Sequence, residues 1–226
     1  MRSVVPRIDA TGVVQLHKPL AAMSASGPLA LAAIADRKVD LSAALDRLCS
    51  SADCIAEAAD LIIVTLRHGG RVLVAGNGGS AAEAQHFATE LVGRFRRERD
   101  AFAVIALTAD TAILTAVAND YGYREVFARQ VAAYGRPGDL LVAFSTSGES
   151  ENLLRAAAVA TQRGMAVIGV TGGRPSPLAA AADLAIRVPV ADAQLAQELH
   201  TVVLHIICEI VEAALAAMPV PEVSPG

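Results

Sequence analysis

Residues 71–75 (RVLVA) form a short β-branched run that passes directly into Gly76-Asn77-Gly78-Gly79-Ser80 and then into a helical stretch reaching about Val92. A strand that is apolar on both faces and feeds through a glycine loop into a helix belongs in a parallel sheet covered by helices. The cassette recurs. Residues 102–107 lead into a helix near 111–118, and residues 139–144 pass through Ser145-Thr146-Ser147-Gly148 into a helix over 150–163. Residues 165–170 and 184–188 read as two more strands, and 193–217 as a long apolar helix. The pattern predicts an α/β fold, with a five-stranded parallel sheet flanked by helices and long helices at both ends.

Upstream of the first strand, apolar residues recur at helical spacing from Leu41 to Arg67, and His68-Gly69-Gly70 stops the run. This predicts one long helix or a broken pair. Residues 1–38 lack a clean period and contain Pro6, Pro19 and Pro28, so they read as an irregular arm. Residues 218–226, with three prolines, read as a frayed tail, which leaves 39–217 as the domain.

A hydrophobic fraction of 54% with only 4% aromatics suits small aliphatic residues packed on a buried sheet. No apolar run reaches the roughly 18 residues a membrane span needs, and the first residues lead into no signal-peptide core, so a cytoplasmic protein is expected. The net charge of -4 and the scattered cations do not suit a dedicated nucleic-acid binder. Cys49, Cys54 and Cys208 lie in apolar helical patterns and read as buried thiols.

In open parallel sheets ligands bind beyond the carboxyl ends of the strands. Two loops there suit an anion. In Gly76–Ser80 the glycines let backbone N–H groups approach a ligand, and Ser80 can cap a helix or donate to an oxyanion. In Ser145-Thr146-Ser147-Gly148-Glu149-Ser150 four hydroxyls surround a glycine before a helix whose dipole favours a phosphate. Neither loop has Walker A or dinucleotide spacing. His86 and Glu90, four apart, share a helix face and suit either a metal or a base with its partner. His205 interrupts the apolar last helix, where an imidazole near neutrality can move a proton.

Taken in order, GNGGS, QHFATEL, VAND (residues 117–120), STSG, and QELH with a further histidine five residues on resemble the SIS (sugar isomerase) fold, and within it the phosphoheptose isomerases. The resemblance spans about residues 40–216. It implies a flavodoxin-like or Rossmann-like three-layer sandwich. It also implies isomerisation of sedoheptulose 7-phosphate to D-glycero-D-manno-heptose 7-phosphate, with Glu90 as base and His205 as acid. By the same resemblance Asn77, Gly78, Ser80, Asn119, Asp120, Ser145, Thr146, Ser147, Ser150 and Gln197 bind substrate and phosphate, and Arg94 and Asp192 are further substrate candidates. A zinc ion (Zn²⁺) is implied at His86, Glu90, Gln197 and His205, as is a homotetramer with active sites between subunits.

Departures bear on substrate identity: Glu149 stands where the family usually has asparagine after STSG, and Leu195-Ala196 replaces the common Arg-Ile. The cations between Arg96 and Arg99 read as a solvated surface. On one straight helix Gln197 and His205 are separated by roughly 12 Å, against zinc–ligand distances of about 2 Å. This predicts either ligands from two chains or a helix that starts after Gln197. The competing readings are a non-catalytic SIS adaptor of the replication-initiator-binding type, against which Glu90 and His205 both count, and a sugar-phosphate sensor without turnover.

Overall fold

The computed structural model describes residues 26–216 and the backbone of residues 7–8 and 14–15; the expected tail at 218–226 lies outside the described residues. Two units are distinguished, Met1–Leu41 and Ser42–Gly226. In the first, β1 (Arg7–Ile8) and β2 (Val14–Gln15) pair antiparallel. Helix α1 (Gly27–Leu48) leads from the first unit into the second and has only Ala44 and Leu48 buried. A 3₁₀ turn at Cys49–Ser51 separates it from α2 (Ala52–Arg67), so the predicted helix is the broken pair. Helix α2 buries Ile55, Ala58, Ala59, Ile62 and Ile63, the i, i+3, i+4 stripe of an amphipathic helix.

The second unit continues with β3 (Val72–Gly76), α3 (Gly79–Val92), β4 (Val104–Ala106), α4 (Thr111–Tyr121), α5 (Ala128–Tyr134) and β5 (Leu140–Ser145). It ends with α6 (Glu151–Gln162), β6 (Ala166–Thr171), α7 (Pro177–Ala181), β7 (Leu184–Arg187) and α8 (Ala193–Leu215). The five strands pair in parallel throughout, in the order β4-β3-β5-β6-β7. Every residue of β3 and β5 is buried, as expected of central strands covered on both faces. Leu73, Ala75, Leu141 and Ala143 pack with Leu153, Ala156 and Ala157 of α6 and Val131 of α5. The alternate residues turn the other way, where Phe144 meets Phe87 of α3 and His200 of α8. Among the described residues no helix is long and apolar enough to cross a membrane.

This order places a topological switch between β3 and β5. The connection after β3 runs outward to β4 and the one after β5 runs the opposite way to β6. The two loops singled out in the sequence therefore leave adjacent strands at the point where doubly wound sheets open a ligand crevice.

Candidate active site

The loop after β3 turns at Gly78 (φ +56°), and the N–H of Ser80 donates to the Asn77 carbonyl at 3.0 Å as α3 begins. Ser80 is buried. Asn77 is fixed by a reciprocal amide pair with Asn152 of α6, at 2.9 Å each way, and by the Tyr123 hydroxyl at 2.8 Å. The loop after β3 is thus tied through side chains to the first turn of α6. After β5, the Ser145 hydroxyl accepts from Gly148 N–H at 3.0 Å and the Ser147 hydroxyl from Glu149 N–H at 3.2 Å. Gly148 has φ +66°, and a Cβ there would run into Ser176, so only glycine fits. The Thr146 carbonyl accepts from Gly172 N–H. Ser150 occupies the N-cap of α6 without a side-chain cap bond, which leaves its hydroxyl available at a helix N-terminus. Glu149 is exposed.

One turn apart on α3, His86 Nε2 and Glu90 Oε1 are 3.0 Å from each other. Helix α3 packs on α8, which brings His205 Nε2 to 3.3 Å from His86 Nε2. The rings meet edge to face, with centroids 4.9 Å apart. The three ligand atoms lie within 4.8 Å of one another, and all three residues are half-buried. Burial, then the adjacent His86 and Arg96, outweigh Glu90 and hold His205 below the ordinary imidazole pKa. A neutral His86 can offer one N–H to this triangle, where otherwise lone pairs converge, so the set suits a divalent cation. Two imidazoles and a carboxylate make a donor set of the kind that holds zinc.

Gln197 sits elsewhere. Asp192 accepts Leu195 N–H at 2.8 Å and caps α8, so the helix starts at Ala193 and carries both Gln197 and His205. The expectation of a helix starting after Gln197 is overturned by that cap, and ligands from two chains remain of the pair of alternatives. The Gln197 amide lies so close to Gly79 that a Cβ on Gly79 would collide with it. Asn119 and Asp120 are exposed near the end of α4 and bond to each other at 2.8 Å. Arg94 is exposed and 3.9 Å from Glu98.

Sequence reading missed two features. Glu83 and Gln197, with Gly79, Gln194, Glu198 and Thr201, line a groove of about 440 Å³. Behind it the Glu83 carboxylate is 3.5 Å from Nδ1 of the fully buried His200. The second is Arg99. Expected in solvent, its side chain is only 3% exposed and pairs with Glu212, whose side chain is 2% exposed. The signal was an acid in an apolar helix seven residues after His205, on the same face. Of the three cysteines only Cys208 is buried; Cys54 is intermediate and Cys49 exposed.

The SIS domain family matches residues 39–172. A phosphoheptose isomerase of Rhodospirillum rubrum is 50% identical over 171 residues, 76% of this chain and 91% of that protein. One from Roseiflexus is 50% identical over 166 residues, covering 74% and 84% respectively. Among solved structures, a phosphoheptose isomerase from Francisella tularensis superposes with a TM-score of 0.78 at 38% identity, covering 81% of this chain and 98% of that one. The corresponding enzyme from Neisseria gonorrhoeae gives 0.77 at 37% identity, with the same coverage. With the parallel sheet, the two strand-end loops and a His–Glu–His cluster in place, these matches establish that the chain belongs to the SIS-domain phosphoheptose isomerases and is a sugar-phosphate isomerase.

Proposed function

We propose that the chain interconverts sedoheptulose 7-phosphate and D-glycero-D-manno-heptose 7-phosphate through an enediol. The meeting of His86 and Glu90, on the helix opened by the first of the two strand-end loops, with His205 of α8 carries this reading. The phosphate binds at Ser145, Thr146, Ser147 and Ser150, where N–H groups and hydroxyls favour an anion, with Ser80 completing the site. Gly78 lets the first loop turn, and Asn77, Asn119 and Asp120 serve the sugar hydroxyls, with Arg94 and Asp192 as lesser candidates. Binding energy from the phosphate orients the reacting carbons.

The Glu90 carboxylate removes a proton from C1 while His205 delivers one to the C2 oxygen, giving the enediol. Glu90 then returns a proton to C2 and His205 takes the O1 proton, so both side chains regain their starting forms. The lowered pKa of His205 makes its protonated ring a readier donor and keeps neutral imidazole abundant for the return step. Zinc, implied by the family resemblance, would be held by His86, Glu90 and His205, with Gln197 joining from another chain; when bound it supplies a Lewis acid toward the carbonyl oxygen, the part the His205 proton plays in the metal-free site. A homotetramer would provide that second chain, and the exposed Leu29, Leu31, Ile34 and Val39 on α1 support such an assembly.

Incubation of the purified protein with sedoheptulose 7-phosphate should give an anomeric aldose signal in the proton NMR spectrum, lost in Glu90→Gln and in His205→Gln. Binding of the sugar phosphate by the unaltered protein with no aldose formed would overturn the proposal.

A further inference from the structure

We infer that Glu212 and Arg99 are positioning residues that lock the segment between Gly93 and Asp100 so that the Phe95 ring fixes the orientation of His205. Glu212 lies two turns beyond His205 on α8 and is buried. Its Oε1 accepts from Phe95 N–H at 2.9 Å, and its Oε2 accepts from Arg96 N–H at 2.8 Å and Arg97 N–H at 3.0 Å. Three consecutive backbone amides therefore close on one carboxylate. Arg99 Nε stands 3.3 Å from the same group. Its Nη2 donates to the Glu90 carbonyl at 2.8 Å and its Nη1 to the Gly93 and Asp100 carbonyls, while the guanidinium covers the Phe102 ring at 3.9 Å. The outcome at the site is one contact: the Phe95 ring stacks on the His205 imidazole, with centroids 5.6 Å apart and planes 27° from parallel.

A buried ion pair seldom adds net stability over an apolar pair, and its best-attested use is to enforce one geometry. Here that geometry joins the backbone of the proposed base to the ring of the proposed acid. An imidazole on a half-exposed helix face has two χ angles to settle. The edge contact with His86 and the face contact with Phe95 restrict both. Small misplacements at a reacting group cost about a hundredfold in rate, so a loosened Phe95 should lower turnover without weakening phosphate binding.

The inference rests on the isomerase reading for its kinetic consequence but not for its structural one, and the test separates them. The Cε1–H resonance of His205, assigned with His205→Gln, is followed by NMR well below the melting temperature in the unaltered protein, Phe95→Leu, Phe95→Tyr and Glu212→Gln. Phe95→Leu should move it downfield as the ring current disappears, Phe95→Tyr should leave it in place, and Glu212→Gln should move it in the same direction as Phe95→Leu. In assays with sedoheptulose 7-phosphate, Phe95→Leu and Glu212→Gln should lower kcat about tenfold or more with KM little changed, and Phe95→Tyr should retain it. An unmoved His205 resonance in folded Glu212→Gln would overturn the clamp. Should Glu212→Gln fail to fold, Phe95→Leu decides: an unmoved resonance or an unchanged kcat overturns it. Absence of turnover in the unaltered protein would sink the isomerase reading and leave the resonances to judge the clamp.

Discussion

Two residues set the sharpest tests at the scale of single side chains. Glu90→Gln keeps the shape of the side chain and its helix but removes the proposed base, so it should bind substrate with little change while turnover falls by a factor of about a thousand; isothermal titration beside a rate assay separates the two. Gly79→Ala places a methyl against the Gln197 amide. The amide is the far end of a flexible side chain and Gly79 is exposed, so the expected outcome is a Gln197 side chain displaced in a crystal structure of the variant, with little change in melting temperature. The candidate residues were legible here because their types are uncommon in an apolar chain: a histidine inside α8 and a His–Glu pair four apart draw attention by themselves. That they meet was not legible, since it depends on how α3 packs against α8. The helix cap at Asp192 hid in the same way, because an aspartate before a helix has the same letter whether it binds a backbone N–H or a substrate.

Among elements, the strand-end loops were readable from local chemistry, with glycines where the backbone must turn and hydroxyls ahead of a helix. The segment after α3 was not. A run with Arg96, Arg97 and Arg99 looks solvated on composition, and only the tertiary partner Glu212 draws Arg99 inside. That partner carries a pH dependence. Burial alone would raise the Glu212 pKa, but the N–H groups of Arg96, Phe95 and Arg97, with Arg99, hold it below the ordinary carboxylate value. The neighbouring Cys208 thiol is kept protonated by burial and contributes no charge. A depressed folded-state pKa gives stability that is present above the unfolded value and lost as pH falls through the folded one. Denaturant titrations from pH 7 down to pH 3 should therefore show a loss of stability on the acid side of the ordinary carboxylate range. Glu212→Gln should flatten that slope. Glu212→Ala, which leaves Arg99 and three amides without the carboxylate, should cost about 3 kcal/mol at neutral pH.

The whole molecule follows from alternation: five short apolar runs, each feeding a helix, leave few arrangements other than a parallel sheet covered on both faces, and the sheet has that form. The strand order and its switch between β3 and β5 are not written in any one segment, because they depend on which crossover turns which way. Assembly is the next level. In the proposed tetramer the exposed apolar residues of α1 would be covered and a second chain would supply Gln197, and light scattering should give four times the chain mass. Leu31→Glu with Ile34→Glu should reduce it. Zinc added at a hundred times its dissociation constant should raise stability by about 2.7 kcal/mol, an effect His86→Ala should largely remove. The central claim, that Glu90 carries a proton between C1 and C2, is tested most directly by turnover in D₂O. The account predicts deuterium at C2 of the aldose and at C1 of the recovered ketose with the unaltered protein, and none with Glu90→Gln. Aldose formed, or deuterium incorporated, as readily by Glu90→Gln as by the unaltered protein would contradict it.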